Sequence, residues 1–119
     1  MTESLVTESR IKKVITADYF NVIDSEAIVE LMSQYALDSM GGGQALPEAV
    51  KTALVPALSK VPGAFTVLAL IEGKPAGLIN CFMGFSTFKA KPLINIHDVI
   101  VLEAFRGLKL SQLMLQKVE

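Results

Sequence analysis

Ile96-His97-Asp98-Val99-Ile100-Val101-Leu102-Glu103-Ala104-Phe105-Arg106-Gly107-Leu108-Lys109-Leu110-Ser111-Gln112-Leu113-Met114-Leu115 is the stretch that decides the fold. Its first part is apolar apart from His97 and Asp98 and reads as a buried strand. A short acidic turn follows, and the Arg106-Gly107 pair opens a helix with Leu110, Leu113 and Met114 on one side. A strand that runs directly into a helix exposes several unpaired backbone N–H groups at the positive end of a helix dipole. That is what a pyrophosphate requires, and it needs few side chains.

Upstream, the pattern organises around the same strand, residues 93–102. Residues 89–92 connect it to a hairpin made of residues 65–71, the turn Glu72-Gly73-Lys74, and residues 75–87. Both hairpin strands are apolar at nearly every position, which predicts a sheet covered on both faces. Before the hairpin, Asp24 or Ser25 caps a helix running to about Asp38, with Ile28, Leu31, Met32 and Tyr35 on one face. Gly41, Gly42 and Gly43 stop it. A glycine run also suits a phosphate, but the usual phosphate loop needs a preceding strand and a following Lys-Ser or Lys-Thr, so this run reads as a linker or acceptor-side loop. Pro47 suits the first turn of a second helix, which Pro56 must kink or restart before Lys60. Residues 11–16 form a first strand after a polar tail, residues 1–10. The order strand, helix, helix, hairpin, strand, helix is an α/β (α+β) plan, a mainly antiparallel sheet flanked by helices in a single domain, residues 11–119.

The strand-to-helix segment resembles the GNAT superfamily of N-acetyltransferases, whose fourth strand runs into a loop of the form Gln/Arg-x-x-Gly-x-Gly/Ala and then a helix. Arg106 and Gly107 stand at its start, Phe105 where the family often has an aromatic residue, and Met114-Leu115 at a paired apolar step of its helix. The resemblance covers residues 11–119 and implies a GNAT-like domain whose sequence stops just after the start of the pyrophosphate-loop helix. Two positions depart from the pattern: Lys109 and Ser111 stand where the family favours Gly and Gly or Ala. A Cβ at Lys109 costs close approach to phosphate, which its ammonium partly offsets if it pairs with that phosphate. Ser86-Thr87-Phe88 and the later Ile96-His97-Asp98 look most like the diamine acetyltransferases, which often read Tyr-Ser-Thr and Glu-Asp there.

The resemblance implies acetyl-CoA as co-substrate and a small primary amine, with a di- or polyamine as the nearest match, as acceptor. The implied cofactor contacts are Val99, Ile100, Val101, Arg106, Gly107, Leu108, Lys109, Leu110, Ser111 and Gln112. Attack by an amine on a thioester needs an uncharged amine, a hydrogen bond to the thioester carbonyl and an acid for the leaving thiolate. The strand backbone near residues 99–101 offers the hydrogen bond. His97 either takes a proton, directly or through water, or is a structural histidine at a strand edge. Asp98 either holds a cationic amine or is structural. Alternate side chains of a strand point to opposite faces, so His97 and Asp98 share one cleft only if a bulge intervenes, and the family places a bulge in this strand. The thiolate acid of the family is commonly a Tyr on a later helix, and Tyr19 and Tyr35 precede the motif.

Composition narrows the remaining options. Eleven Lys and Arg against twelve Asp and Glu give a net charge of -1, so no basic field exists for nucleic acid. No apolar run is long enough to span a bilayer and residues 1–10 lack a signal-peptide core, so a soluble cytoplasmic protein is expected. Cys81, the only cysteine, lies in an apolar run and reads as a buried inert thiol, with no disulfide and no cysteine-based metal site. Counted with Gly and without Tyr, about 56% of the residues are apolar, above the ~45–50% of ordinary soluble domains. That excess predicts a homodimer joined through the strand at residues 93–102, left with an open edge, and the helix face of Leu110, Leu113 and Met114. The alternative to an active enzyme is a non-catalytic GNAT remnant that serves as a self-association or partner-binding module.

Overall fold

The protein is described by a computed structural model covering residues 11–38 and 41–118. The expected polar tail, residues 1–10, and the terminal Glu119 lie outside the described residues. The elements run β1 (Lys12–Thr16), α1 (Val22–Leu37), α2 (Glu48–Leu58), β2 (Ala64–Ile71), β3 (Lys74–Ser86), β4 (Lys91–Val101), a 3-10 turn (Glu103–Phe105) and α3 (Leu110–Val118). The four strands form one antiparallel sheet in the order β1-β2-β3-β4. Element order and sheet type are those the apolar periodicity predicts.

Local chemistry accounts for the boundaries. Asn21, not Asp24 or Ser25, caps α1: its side chain accepts the Asp24 N–H at 3.0 Å, and the Asp24 carboxylate reaches back to the Asp18 N–H at 2.9 Å. The helix therefore starts three or four residues earlier than expected. At its other end the chain folds back so closely that a Cβ on Gly41 would meet the Tyr35 carbonyl oxygen, which only glycine permits. Pro47 stands just before α2 rather than inside its first turn. Pro56 does not restart the helix, because three positions from the end it forfeits a single intrahelical bond.

Helices cover the two faces of the sheet. On one face α3 sets Leu110 and Met114 against Val67, Ala69, Ile71, Ile79 and Cys81. On the other, α1 and α2 set Ala27, Ile28, Leu31 and Val55 against Leu68, Leu78 and Ile100. The expectation of two-sided burial holds for β2 and for residues 76–81 of β3. It fails for β4, which was read as buried: only Ile100 is buried, because no described element packs beyond the helices on the long β3-β4 hairpin. The α3 face expected to join a second copy is already spent on the core, with Leu110 and Met114 buried and Leu113 packed beside them.

Candidate functional site

Two halves of a site meet at the C-terminal end of β4. The first is set by the strand register. Asn80 pairs with Asp98 and Cys81 with Ile96, so His97 is one residue too many on β4, and the expected bulge sits there. His97 packs edge-on against Phe82, with ring centroids 5.8 Å apart at 78°, while Asp98 accepts a 3.0 Å hydrogen bond from Asn80 Nδ2. Asn80 and Phe82 lie two apart on the regular strand β3 and share a face, so the bulge brings His97 and Asp98 to the same side, the side of α1 and α2. His97 is exposed and Asp98 half-buried.

Asp98 does not stand alone. Thr66, Asn80 and Asp98 are directly opposed across β2, β3 and β4. Thr66 Oγ1 donates to Asn80 Oδ1 at 2.8 Å, and Tyr19 OH lies 2.8 Å from Thr66 Oγ1. Asn80 Nδ2 also contacts the Met32 sulfur at 3.5 Å. Thr66 and Asn80 are buried. Burial pushes the Tyr19 phenol above its ordinary pKa of 10.0, with the hydrogen bond to Thr66 pulling the other way.

The second half is backbone. Leu102 N–H donates to Ala76 C=O at 2.9 Å, which fixes the phase of the β3-β4 ladder. In that phase the N–H groups of Ile100 and Asp98 point toward β3, and those of Val99 and Val101 point out along the open edge of β4. The Val101 carbonyl on that edge accepts Arg106 Nε at 3.1 Å, and Arg106 Nη2 stands 3.7 Å from Asp38 Oδ2. The loop then turns through Gly107 (φ 87°) and Lys109 (φ 61°) before α3 begins at Leu110, later than the expected opening at Arg106-Gly107. Leu113 N–H donates to Lys109 C=O, so the N–H groups of Leu110, Ser111 and Gln112 precede the first intrahelical bond and have no acceptor among the described residues. Lys12 Nζ donates to Leu108 C=O at 3.3 Å, tying β1 to the loop.

Two cavities open along the second half, neither of them lined by His97 or Asp98. One of about 360 Å3 is lined by Val101, Phe105, Arg106, Gly107, Lys109, Leu110 and Ser111, and one of about 250 Å3 by Tyr35, Val99, Ile100, Val101 and Arg106. They share Val101 and Arg106. Of the residues expected to contact cofactor, all but Leu108 and Gln112 line one of these cavities, and those two flank the same loop and helix start. Ile100 is the exception in character, since its buried side chain belongs to the core on the α1 side. Lys109 sits in the left-handed region that favours glycine, which gives a local reason for the glycine of the resembled motif and costs this chain of the order of 1 kcal/mol.

Sequence reading missed Tyr19, Thr66 and Asn80. The only signal was a polar residue interrupting each of two otherwise apolar strands, and without register nothing joined them. The Cys81 thiol is buried as expected, and desolvation raises its pKa above the ordinary 9.0. Among the described residues no cluster of three His, Cys, Asp or Glu side chains gathers to hold a metal, and no helix is long and apolar enough to cross a membrane.

An antiparallel sheet between helical layers, with an edge strand and a helix N-terminus that both present backbone donors, defines an α/β architecture. The pattern of the acetyltransferase (GNAT) family matches residues 27–119, and the chain belongs to that family. A comparison with curated proteins finds no match. Among solved structures the chain is similar to a possible acetyltransferase from Clostridium difficile 630, with TM-score 0.73, 16% identity, and coverage of 91% of this chain and 68% of that one. It is also similar to a ribosomal-protein-alanine N-acetyltransferase from Brucella melitensis biovar Abortus 2308, with TM-score 0.74, 12% identity, and coverage of 91% and 70%. An aminoglycoside N-acetyltransferase solved in complex with CoA gives TM-score 0.70 and 13% identity, covering 92% of this chain and 68% of that one. The chain thus spans about two thirds of the length of these structures. At such identities the likeness establishes the GNAT fold, the fold of acyl transfer.

Proposed function

We propose that this chain provides the acetyl-CoA grip and one wall of the acceptor site of an N-acetyltransferase acting on a primary amine, with a small di- or polyamine as the preferred class. The observation that carries the reading is two sets of outward backbone donors, Val99 and Val101 on the edge of β4 and Leu110, Ser111 and Gln112 at the start of α3. A strand edge suits the amide-bearing arm of CoA and a helix start suits its pyrophosphate. Lys109 adds a cation beside that start.

Acetyl-CoA supplies a thioester whose carbonyl carbon takes the amine nitrogen and whose sulfur leaves as the thiolate. Val99 and Val101 N–H groups hold the arm and offer a donor to the thioester oxygen, where charge develops during attack. Asp98 holds the acceptor as an ammonium. His97, on the same face, takes the proton that the nitrogen must lose, directly or through water. The thiolate is protonated by solvent or by an acid outside residues 11–118. A soluble, cytoplasmic setting fits this small-molecule chemistry.

Chemical-shift mapping with CoA tests the reading: residues 99–101 and 107–112 should shift. Perturbations confined to residues 41–44 would overturn it.

One observation favours a second reading, in which the chain pairs with a second copy of itself. Met83, Phe85, Ile94, Ile96 and Val99 are exposed at 36–61% and lie on one face of the β3-β4 hairpin, beside the open edge of β4. A homodimer through this hairpin keeps the expected edge at residues 93–102 and drops the expected α3 face. Sedimentation equilibrium separates the cases, since a strictly monomeric species at high concentration excludes the dimer.

A further inference from the structure

Thr66, Asn80 and Asp98 form a polar row across three strands, beside the apolar Leu68, Leu78 and Ile100 of the same face. A buried row of this kind is costly unless every group is satisfied, and no described buried side-chain nitrogen or oxygen lacks a partner. The donor inventory fixes its direction. Asn80 must turn its NH2 toward the Asp98 carboxylate, because the flipped amide would set oxygen against oxygen at 3.0 Å. Asn80 Oδ1 then faces Thr66, whose one hydroxyl proton is committed to it at 2.8 Å. Thr66 Oγ1 is left as an acceptor, so Tyr19 OH is the donor at 2.8 Å. Asn80's second N–H, 3.5 Å from the Met32 sulfur, ties the amide to α1 as well. Each bond in the chain permits only one orientation of the next group.

The row ends at the bulge. There it holds Asp98 Oδ2, while Oδ1 has no hydrogen-bond partner among the described residues. Asp98 lies one step along the same face from Ile100, which lines the 250 Å3 cavity with Tyr35 and Arg106. A carboxylate with one oxygen clamped and the other presented is a fixed acceptor for an ammonium group, whereas an unclamped edge carboxylate spends entropy to bind.

We propose that Tyr19, Thr66 and Asn80 are positioning residues: a one-way hydrogen-bond relay, buried under α1, that presents Asp98 Oδ1 to the acceptor ammonium. The inference rests on the amine reading of Asp98 above. It adds that affinity for the amine is set by residues on β2, β3 and the turn between β1 and α1 that never touch it. Because the relay ends in Asn80 NH2, which donates to Oδ2, the carboxylate oxygen left over is an acceptor and suits a cationic, N–H-bearing partner.

The test is an NMR titration of the folded chain with 1,4-diaminobutane at neutral pH, beside a CoA titration. Asp98→Asn should weaken diamine binding about tenfold or more, and Thr66→Val about fivefold to tenfold, with CoA affinity unchanged. Thr66→Ser, which keeps the hydroxyl, should restore most of the loss. In the Asp98→Asn background, Thr66→Val should cost nothing further, the signature of action through Asp98 rather than through general stability. Tyr19→Phe removes only the outermost donor and keeps the assay decisive if Thr66→Val does not fold; about a twofold to threefold loss is expected. If Asp98→Asn weakens the diamine but neither Thr66→Val nor Tyr19→Phe does, the relay is wrong and the amine reading stands. If wild type shows no saturable diamine shift, or Asp98→Asn binds as well as wild type, the amine reading falls and takes the relay's purpose with it.

Discussion

The inner and outer halves of the β3-β4 hairpin both carry large apolar side chains and meet opposite fates. Residues 76–81 of β3 are buried, pressed between α3 on one face and α1 with α2 on the other. Residues 83–96 continue the same two strands with Met83, Phe85, Leu93, Ile94 and Ile96 all exposed. Hydrophobicity states only that a residue gains from cover, and which residues receive it is decided by where the helices end. The bulge at His97 falls at this border, and so does the candidate site. Asp98 is anchored from the packed half while His97 faces outward from the unpacked one.

The comparison breaks or sharpens under mutation. Ile79→Ala in the inner half should cost about 2–5 kcal/mol in denaturant unfolding, through lost burial and a cavity between β2 and α3. Ile94→Ala, at 36% exposure in the outer half, should stay within about 0.5 kcal/mol. Similar losses at both positions would mean that the outer half is covered in solution.

Glycines make a finer version of the same contrast. A Cβ on Gly77 would lie 2.6 Å from the Ile100 carbonyl oxygen and 3.1 Å from Met114 Cε, so Gly77→Ala must push β4 or α3 away and should cost about 1–3 kcal/mol. On Gly84 the nearest atom is the Asn95 side-chain nitrogen at 2.7 Å, the end of a side chain free to swing aside. Gly84→Ala should therefore be close to neutral in thermal unfolding.

Lys109→Gly comes next. Releasing a left-handed non-glycine residue should stabilise the chain by about 1 kcal/mol or less, offset in part by the greater entropy of glycine in the unfolded chain. CoA should bind more tightly in calorimetric titration because the backbone can approach closer. Weaker binding would show that the Lys109 ammonium is itself a phosphate ligand.

The smallest effect is on pH dependence. Burial raises the folded pKa of Cys81 above 9.0 and of Tyr19 above 10.0, so the folded state holds these protons longer than the unfolded state does. That contribution is complete below about pH 9 and is lost as pH rises through the two raised values. Stability should decline on the alkaline side, and Tyr19→Phe should flatten the upper part of the decline. A slope unchanged in this variant would place Tyr19 in solvent.

The linear sequence alone determined much of this protein. Apolar runs of strand length, the i, i+3, i+4 stripe of α1, the Glu72-Gly73 turn and the junction around Arg106-Gly107 are local signals. Each reflects a residue's own conformational preference or the period at which its side chains recur, so element order and the strand-to-helix junction were legible without a structure. What only the tertiary structure decided depends on contacts between residues distant in sequence. Register made Thr66, Asn80 and Asp98 neighbours from positions 14 and 18 residues apart. One additional residue in β4 turned His97 and Asp98 to the same face, and the reach of α3 left the outer hairpin bare while consuming the Leu110 and Met114 face expected to bind a second copy. A strand's pattern repeats every two residues and is blind to a shift of the whole strand against its partner. Pairing and layer coverage therefore appear only when the chain is folded.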